Sequence, residues 1–235
     1  MALARADDPE REHCLRGATW SVTSFRKKLA GDPPKIKQLV EITSAVRSTT
    51  GAGRTAVEAE LMQHLTEIAR QCGFVLEDAG VKNLTGFDAA WQVPAEAQPA
   101  FATIQILCHY ALDCLLFIRP QDSASGQRRE SAFRILANAG RLINLPEVVT
   151  LASKSLHKVN SREVQGAFLF FENYYASRDD AIDDEIVDQL FAVSEATSSR
   201  HNAWGALSLL VKLEELSEFG AEDHMNEWKE KHERW

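Results

Sequence analysis

The sequence has few cysteines, no closely spaced cysteine pair and no long uninterrupted apolar run, and each absence removes a class of protein. The four cysteines, Cys14, Cys72, Cys108 and Cys114, fall in helix-like stretches without a CxxC spacing. That pattern suits a reducing compartment rather than a disulfide framework. The longest apolar run, residues 100–118, is interrupted by Gln105, His109 and Asp113. Three polar side chains over that length predict a core helix, not a membrane span. No Asn-Gly or Asp-Gly turn separates alternating runs, so hairpins are not expected. The first residues, MALARADDPEREHC, are charged almost from the start, unlike a signal peptide. The expectation is a soluble, cytoplasmic protein with no membrane partner.

What is present is charge, unevenly spread. Residues 1–120 hold 13 Lys/Arg against 14 Asp/Glu, whereas residues 179–235 hold 5 against 15. An acidic C-terminal third repels a phosphate backbone and attracts a basic segment, so the expected partner is another protein and not nucleic acid. The overall charge of −8 points the same way. The blander reading is a solvated acidic face.

Helical periodicity runs through most of the chain. After Gly31-Asp-Pro-Pro34, residues Ile36, Leu39, Val40, Thr43 and Val46 share a face up to about Ser48. A second amphipathic helix is predicted over about 55–72, with Val57, Leu61, Leu65, Ile68 and Cys72 on one stripe and Gly73 as its stop. Residues 74–97 read as loop or short helix. Helix 98–118, apolar on nearly every side, is expected in the middle of the fold. A polar connector, 119–127, divides an N-terminal helical region (1–118) from residues 128–235. Six helices are predicted beyond it, at about 128–142, 146–158, 161–177, 184–197, 199–219 and 222–235, the whole packing as one continuous domain. Ser161 and Ser199 stand where N-caps belong, and Asp183, Asp184 and Glu185 crowd a first turn.

One pattern returns three times: Arg129-Glu-Ser-Ala-Phe-Arg-Ile-Leu136, Arg162-Glu-Val-Gln-Gly-Ala-Phe-Leu169 and Arg200-His-Asn-Ala-Trp-Gly-Ala-Leu207. The intervals, 33 and 38 residues by these positions, lie in the range of stacked two-helix repeats. Pro146-Glu-Val-Val-Thr-Leu151 likewise aligns with Asp184-Glu-Ile-Val-Asp-Gln. Phe168, Phe170, Phe171, Tyr174 and Tyr175 place aromatics on more than one side of one helix, which predicts a helix sandwiched between neighbours. Residues 128–235 therefore resemble HEAT or armadillo-type helical repeats, though shorter and without the usual mid-helix proline. The resemblance implies an all-α solenoid of stacked antiparallel helix pairs that binds proteins, with no catalytic residues and no cofactor. An irregular α-helical bundle is the alternative.

Three clusters have chemical readings. Asp179-Asp-Ala-Ile-Asp183-Asp184 resembles the aspartate-rich motif of isoprenoid synthases, which holds Mg²⁺, but no second metal motif accompanies it. A loop and N-cap explain it more simply. His109 and Asp113, spaced i, i+4 near Cys108 and Cys114, read as a buried pair satisfying itself in the core. Glu222-Asp223-His224 with His232 reads as a solvated face. No HExxH motif occurs, and Gly51-Ala-Gly53-Arg54 lacks the rest of a phosphate loop. The expected function is a non-catalytic adaptor without a metal site. Its partner-binding candidates are Trp228, Trp235, Asp179, Asp180, Asp183, Asp184, Glu222 and Asp223. The alternatives are an inhibitor or antidote masking a basic partner, and a metal-dependent α-helical enzyme using Asp179, Asp180 and Asp183 or His109 and Asp113.

Overall fold

A computed structural model describes residues 52–117, 123–178 and 182–214, together with Asn226 and Glu230. The described elements are α1 (Ala52–Asp78), a short 3-10 helix (Phe87–Gln92), α2 (Gln98–Phe117), α3 (Ser123–Gly140), α4 (Pro146–Leu156), α5 (Glu163–Ala176), α6 (Asp184–Ala196) and α7 (Arg200–Glu214). The described fold is all-α: no strand occurs among these residues, only one isolated bridge between Leu84 and Ile143. The helices expected near 36–48 and 222–235 lie outside the described residues, Asn226 and Glu230 excepted.

Where helices stop differs from expectation, for identifiable reasons. Gly73 does not end α1: the helix runs through it, and a Cβ there would be in ordinary contact, 3.5 Å from the Asn138 carbonyl of α3. The stop is Gly80, at φ 76°. Val81 N–H donates to the Leu76 carbonyl at 2.9 Å and Gly80 N–H to Glu77 at 2.8 Å, the paired bonds of a left-handed glycine cap. Leu76 and Val81 are both buried beside it. Likewise α3 starts at Ser123, so the second half of the expected connector is its first turn. Gly126 in that turn lies 3.6 Å, measured to a built Cβ, from the Cβ of Arg162. Packing on α5 overrides a local composition that reads as loop.

The odd-numbered helices pack in succession, α1 on α3, α3 on α5 and α5 on α7, while α2 packs on α3, α4 on α5 and α6 on α7. One hydrophobic cluster runs from Leu61 to Leu213 through all of them. Leu61, Leu65, Ile68 and Cys72, the stripe read from sequence, are buried in it. So are Phe168, Phe170, Phe171, Tyr174 and Tyr175 on α5, which touches α3, α4 and α7. Among the described elements the central position expected for the apolar helix belongs to α5. Of these elements α2 packs chiefly on α1, α3 and the 3-10 helix, and Ala102, His109 and Leu116, seven apart, form an exposed line. By length and apolarity Gln98–Leu116 could cross a membrane, and half of that span is buried against the protein.

Glycine sets the spacing of the central pair. A Cβ on Gly166 of α5 would fall 2.7 Å from the Glu130 carbonyl and 2.8 Å from Phe133 Cβ of α3. Alanine normally stabilises a helix over glycine by about 1 kcal/mol, yet here it must push two helices apart. Gly166→Ala is expected to destabilise by about 1–3 kcal/mol, whereas Gly126→Ala, in ordinary contact, gains up to about 1 kcal/mol. Urea melts of the two variants check this, and equal signs would refute the close approach.

Candidate protein-binding surfaces

The opening residues of the repeated pattern meet in space. Arg129 of α3 pairs with Glu163 of α5, and Glu130 of α3 pairs crosswise with Arg162, at 2.5 Å. Glu163 is 0% exposed and also accepts from Lys158 Nζ at 2.7 Å. Arg129 Nη1 donates to the Leu115 carbonyl near the end of α2, so one guanidinium ties three helices. Glu130 is shared: its Oε1 accepts from Arg134 Nη2 at 2.9 Å and its Oε2 from Arg162 Nε at 2.5 Å. The third copy departs from the ion pairs. At its start Asn202 Oδ1 accepts from Gln165 Nε2 at 2.7 Å, and its Nδ2 donates to the Val159 carbonyl at 2.7 Å. Asn160 Oδ1 accepts from Ser198 N–H at 2.8 Å, which stitches the loop before α5 to the loop before α7.

Above this network the middle of α1 and α3 and the starting ends of α5 and α7 leave an open polar groove. Two hollows of about 310 and 300 Å³ share Glu130, Arg134 and Arg162. The first extends to Asn160, Ser199 and His201, and the second to Gln63 and Thr66 of α1. The groove therefore crosses α1, α3, α5 and α7. The Arg134 and Arg162 side chains are 45% and 55% exposed, against 9% for Glu130.

A second surface is acidic. Asp183 is the N-cap of α6 and accepts from Glu185 N–H at 2.9 Å, the cap role read from sequence. Asp184, Glu185, Asp188 and Glu195 are exposed along that helix, with Asp184, Asp188 and Glu195 on one side by helical spacing. Asp179, Asp180, Glu222, Asp223, Trp228 and Trp235 lie outside the described residues. Ser199 caps α7 through Asn202 N–H at 3.3 Å, whereas the residue at the cap of α5 is Arg162, with Ser161 Oγ accepting from Glu163 N–H.

The His109–Asp113 pair is not a core pair. His109 is exposed, Asp113 half-buried, and the imidazole lies 5.8 Å from the ring of Phe87. With one flank of α2 uncovered by described elements, the polar residues of the run sit on that flank. No group of three His, Cys, Asp or Glu able to hold a metal occurs among the described residues. The sequence reading missed Arg134 and Arg162 as surface residues. The repeated Arg-Glu dipeptides at 129–130 and 162–163 carried the signal, since opposite charges in the same order on neighbouring helices can pair crosswise.

Comparison with known proteins finds no matching family model, no matching curated protein and no matching solved structure.

Two predictions follow the burial. Removing the Glu163 charge leaves Arg129 buried without its carboxylate, so Glu163→Gln is expected to cost about 3 kcal/mol. Arg162→Ala, at an exposed pair whose carboxylate keeps Arg134, costs less than about 1 kcal/mol. Chemical denaturation of both variants checks the contrast. Burial also pushes the Cys72 thiol up to about 12, and burial raises Cys108 further. Neither is a ready nucleophile or metal-binding thiolate. Because the folded value lies above the unfolded one of about 8.5, these thiols favour folding fully below that pH. Stability then falls as pH rises toward 12, where the unfolded chain has released protons that the folded chain retains. Iodoacetamide at pH ~8 should leave Cys72 and Cys108 unlabelled in the native protein and label both in urea, as read by peptide mass spectrometry. Native labelling would contradict their burial.

Proposed function

We propose that this chain is a non-catalytic adaptor, a HEAT/armadillo-like stack of antiparallel helix pairs whose acidic C-terminal surface recruits a basic segment of another protein. The observation that carries the reading is the line of exposed carboxylates on α6, Asp184, Asp188 and Glu195, within a stretch holding 15 acidic residues against 5 basic. The succession of odd helices, each backed by an even one, supports the stacked arrangement. The hydrogen bond from Ser153 of α4 to Gln189 of α6, 2.7 Å, supports the same pairing in the second row. Long-range attraction of this kind raises association rates and weakens with salt.

The test is affinity capture from native lysate with the wild-type chain and with Asp184→Lys/Asp188→Lys/Glu195→Lys, at about 0.05 and 0.5 M salt. A stoichiometric basic partner held only by the wild type, and released at the higher salt, is the expected result. Identical captures by both baits would overturn the acidic-surface reading.

A further inference from the structure

We infer that the groove across the middle of α1 and α3 and the starting ends of α5 and α7 is a second docking surface, for an extended peptide segment rich in carboxylates. The charge argument is local. The chain carries −8 overall, but residues 121–178 hold 8 Lys/Arg against 5 Asp/Glu. Both hollows converge on Arg134 and Arg162. The single carboxylate among their described lining residues, Glu130, accepts from both arginines and is 9% exposed. It neutralises one positive charge and leaves the other uncompensated at the surface. Arg162 gives only its Nε to Glu130, so both of its Nη groups remain to grip a carboxylate in a forked pair. His201, also lining the groove, is exposed.

The rest of the lining suits a peptide main chain. Gln63 and Gln127 are exposed or half-buried amides on α1 and α3, and a side-chain amide offers both a donor and an acceptor to a peptide unit. Gln165 of α5, whose Nε2 is held by Asn202 Oδ1 and the His201 carbonyl, offers its carbonyl oxygen. Neighbouring packed helices stand about 9 Å apart, so crossing three gaps takes about 27 Å. At about 3.3 Å per residue an extended segment of roughly eight residues spans it. Nucleic acid fits less well. A strand of phosphates at that length needs many cations, and the groove offers two arginines with one carboxylate between them.

This surface is separate from the acidic face of α6, so its test can fail without touching the adaptor reading. The probe is a fluorescent peptide of about eight residues with Asp or Glu at alternate positions in a Gly/Ser background, matched to the estimated span. Anisotropy is measured against the intact chain, with the Lys-substituted peptide and an oligo-uridine of similar length as competitors. Saturable binding of the acidic peptide is expected, weakening at least tenfold in Arg134→Gln/Arg162→Gln. The same loss is expected in His201→Glu, which puts a carboxylate at an exposed groove position and leaves the Glu130 network intact. Circular dichroism confirms that each variant is folded. No saturable binding, binding unchanged in both variants, or preferential displacement by the oligonucleotide would overturn the inference. In each of those cases the salt-sensitive capture through α6 is unaffected.

Discussion

The buried Glu163 carboxylate is the constraint on which the other features turn. It is fully enclosed, and a charge without water is tolerable only with good partners close by. Arg129 reaches it from α3 and Lys158 from the turn before α5. A buried ion pair of this sort is weak evidence for net stability, because desolvating Glu163 and Arg129 offsets most of their attraction, while Lys158 stays partly exposed. Its effect is on register. Only one rotation and one axial position of α5 bring Glu163 to Arg129 and Arg162 to Glu130 together. Because Arg129 also holds the Leu115 carbonyl, the same geometry fixes where α2 ends.

The close packing of α3 and α5 follows from that register. With Glu163 docked, the next turn of α5 presents Gly166 to the Glu130 carbonyl, where a larger residue would not fit. The far end is held differently. Arg178, buried just after α5, donates from Nη1 to the Gly140 carbonyl at 2.7 Å and the Tyr174 carbonyl at 2.5 Å, while its guanidinium lies 3.8 Å from the ring centre of Tyr174. Carbonyls left over at helix ends attract cations, and one arginine serves both helices. Toward α7 the buried arginine–glutamate pair gives way to the amides Gln165, Asn202 and Asn160, and the ion pair between α5 and α7, Glu172 with Lys212 at 2.5 Å, is exposed. Neutral hydrogen bonds avoid the desolvation cost of charges, and Phe168 against Gly205 fills the gap between α5 and α7.

Much of this was legible in residues with strong local preferences. The absence of hairpin turns and the periodic apolar stripes predict an all-α fold, and Pro146 and Asp183–Asp184 mark the starts of α4 and α6 where they are found. Cap chemistry is short-range, so sequence reads it well. What sequence read poorly depends on contacts far along the chain. Gly73 looks like a stop, but the buried pair Leu76 and Val81 places the left-handed cap at Gly80, and 123–127 looks like a connector until the start of α5 packs over Gly126. The apolar run of α2 looked central because apolarity shows how much surface is hydrophobic, not which sides are covered. His109 illustrates the limit: its i, i+4 relation to Asp113 was correct as helix geometry and uninformative about exposure. The candidate surfaces divide the same way. The acidic face of α6 is a run in sequence, whereas the groove is assembled from residues up to 139 positions apart, Gln63 to Asn202.

That assembly connects folding to recognition. Crosswise pairing needs two arginines at the α3–α5 crossing, Arg129 inside and Arg162 outside, and their unequal burial follows from where the helices touch. Arg134, one turn along α3, joins the outer side because Glu130 has a second oxygen to offer. The outer carboxylate is thus satisfied twice, and the surplus positive charge stands at the surface as a consequence of fixing the register. The acidic carboxylates of α6 belong to the other row of helices, backed by α4 and α7. Under the proposed readings, the groove arginines and the α6 carboxylates would take segments of opposite charge without the two competing for one surface. Salt would weaken both, but a groove with half-buried amides loses less than an exposed acidic helix face, since hydrogen bonds to a peptide main chain are not screened.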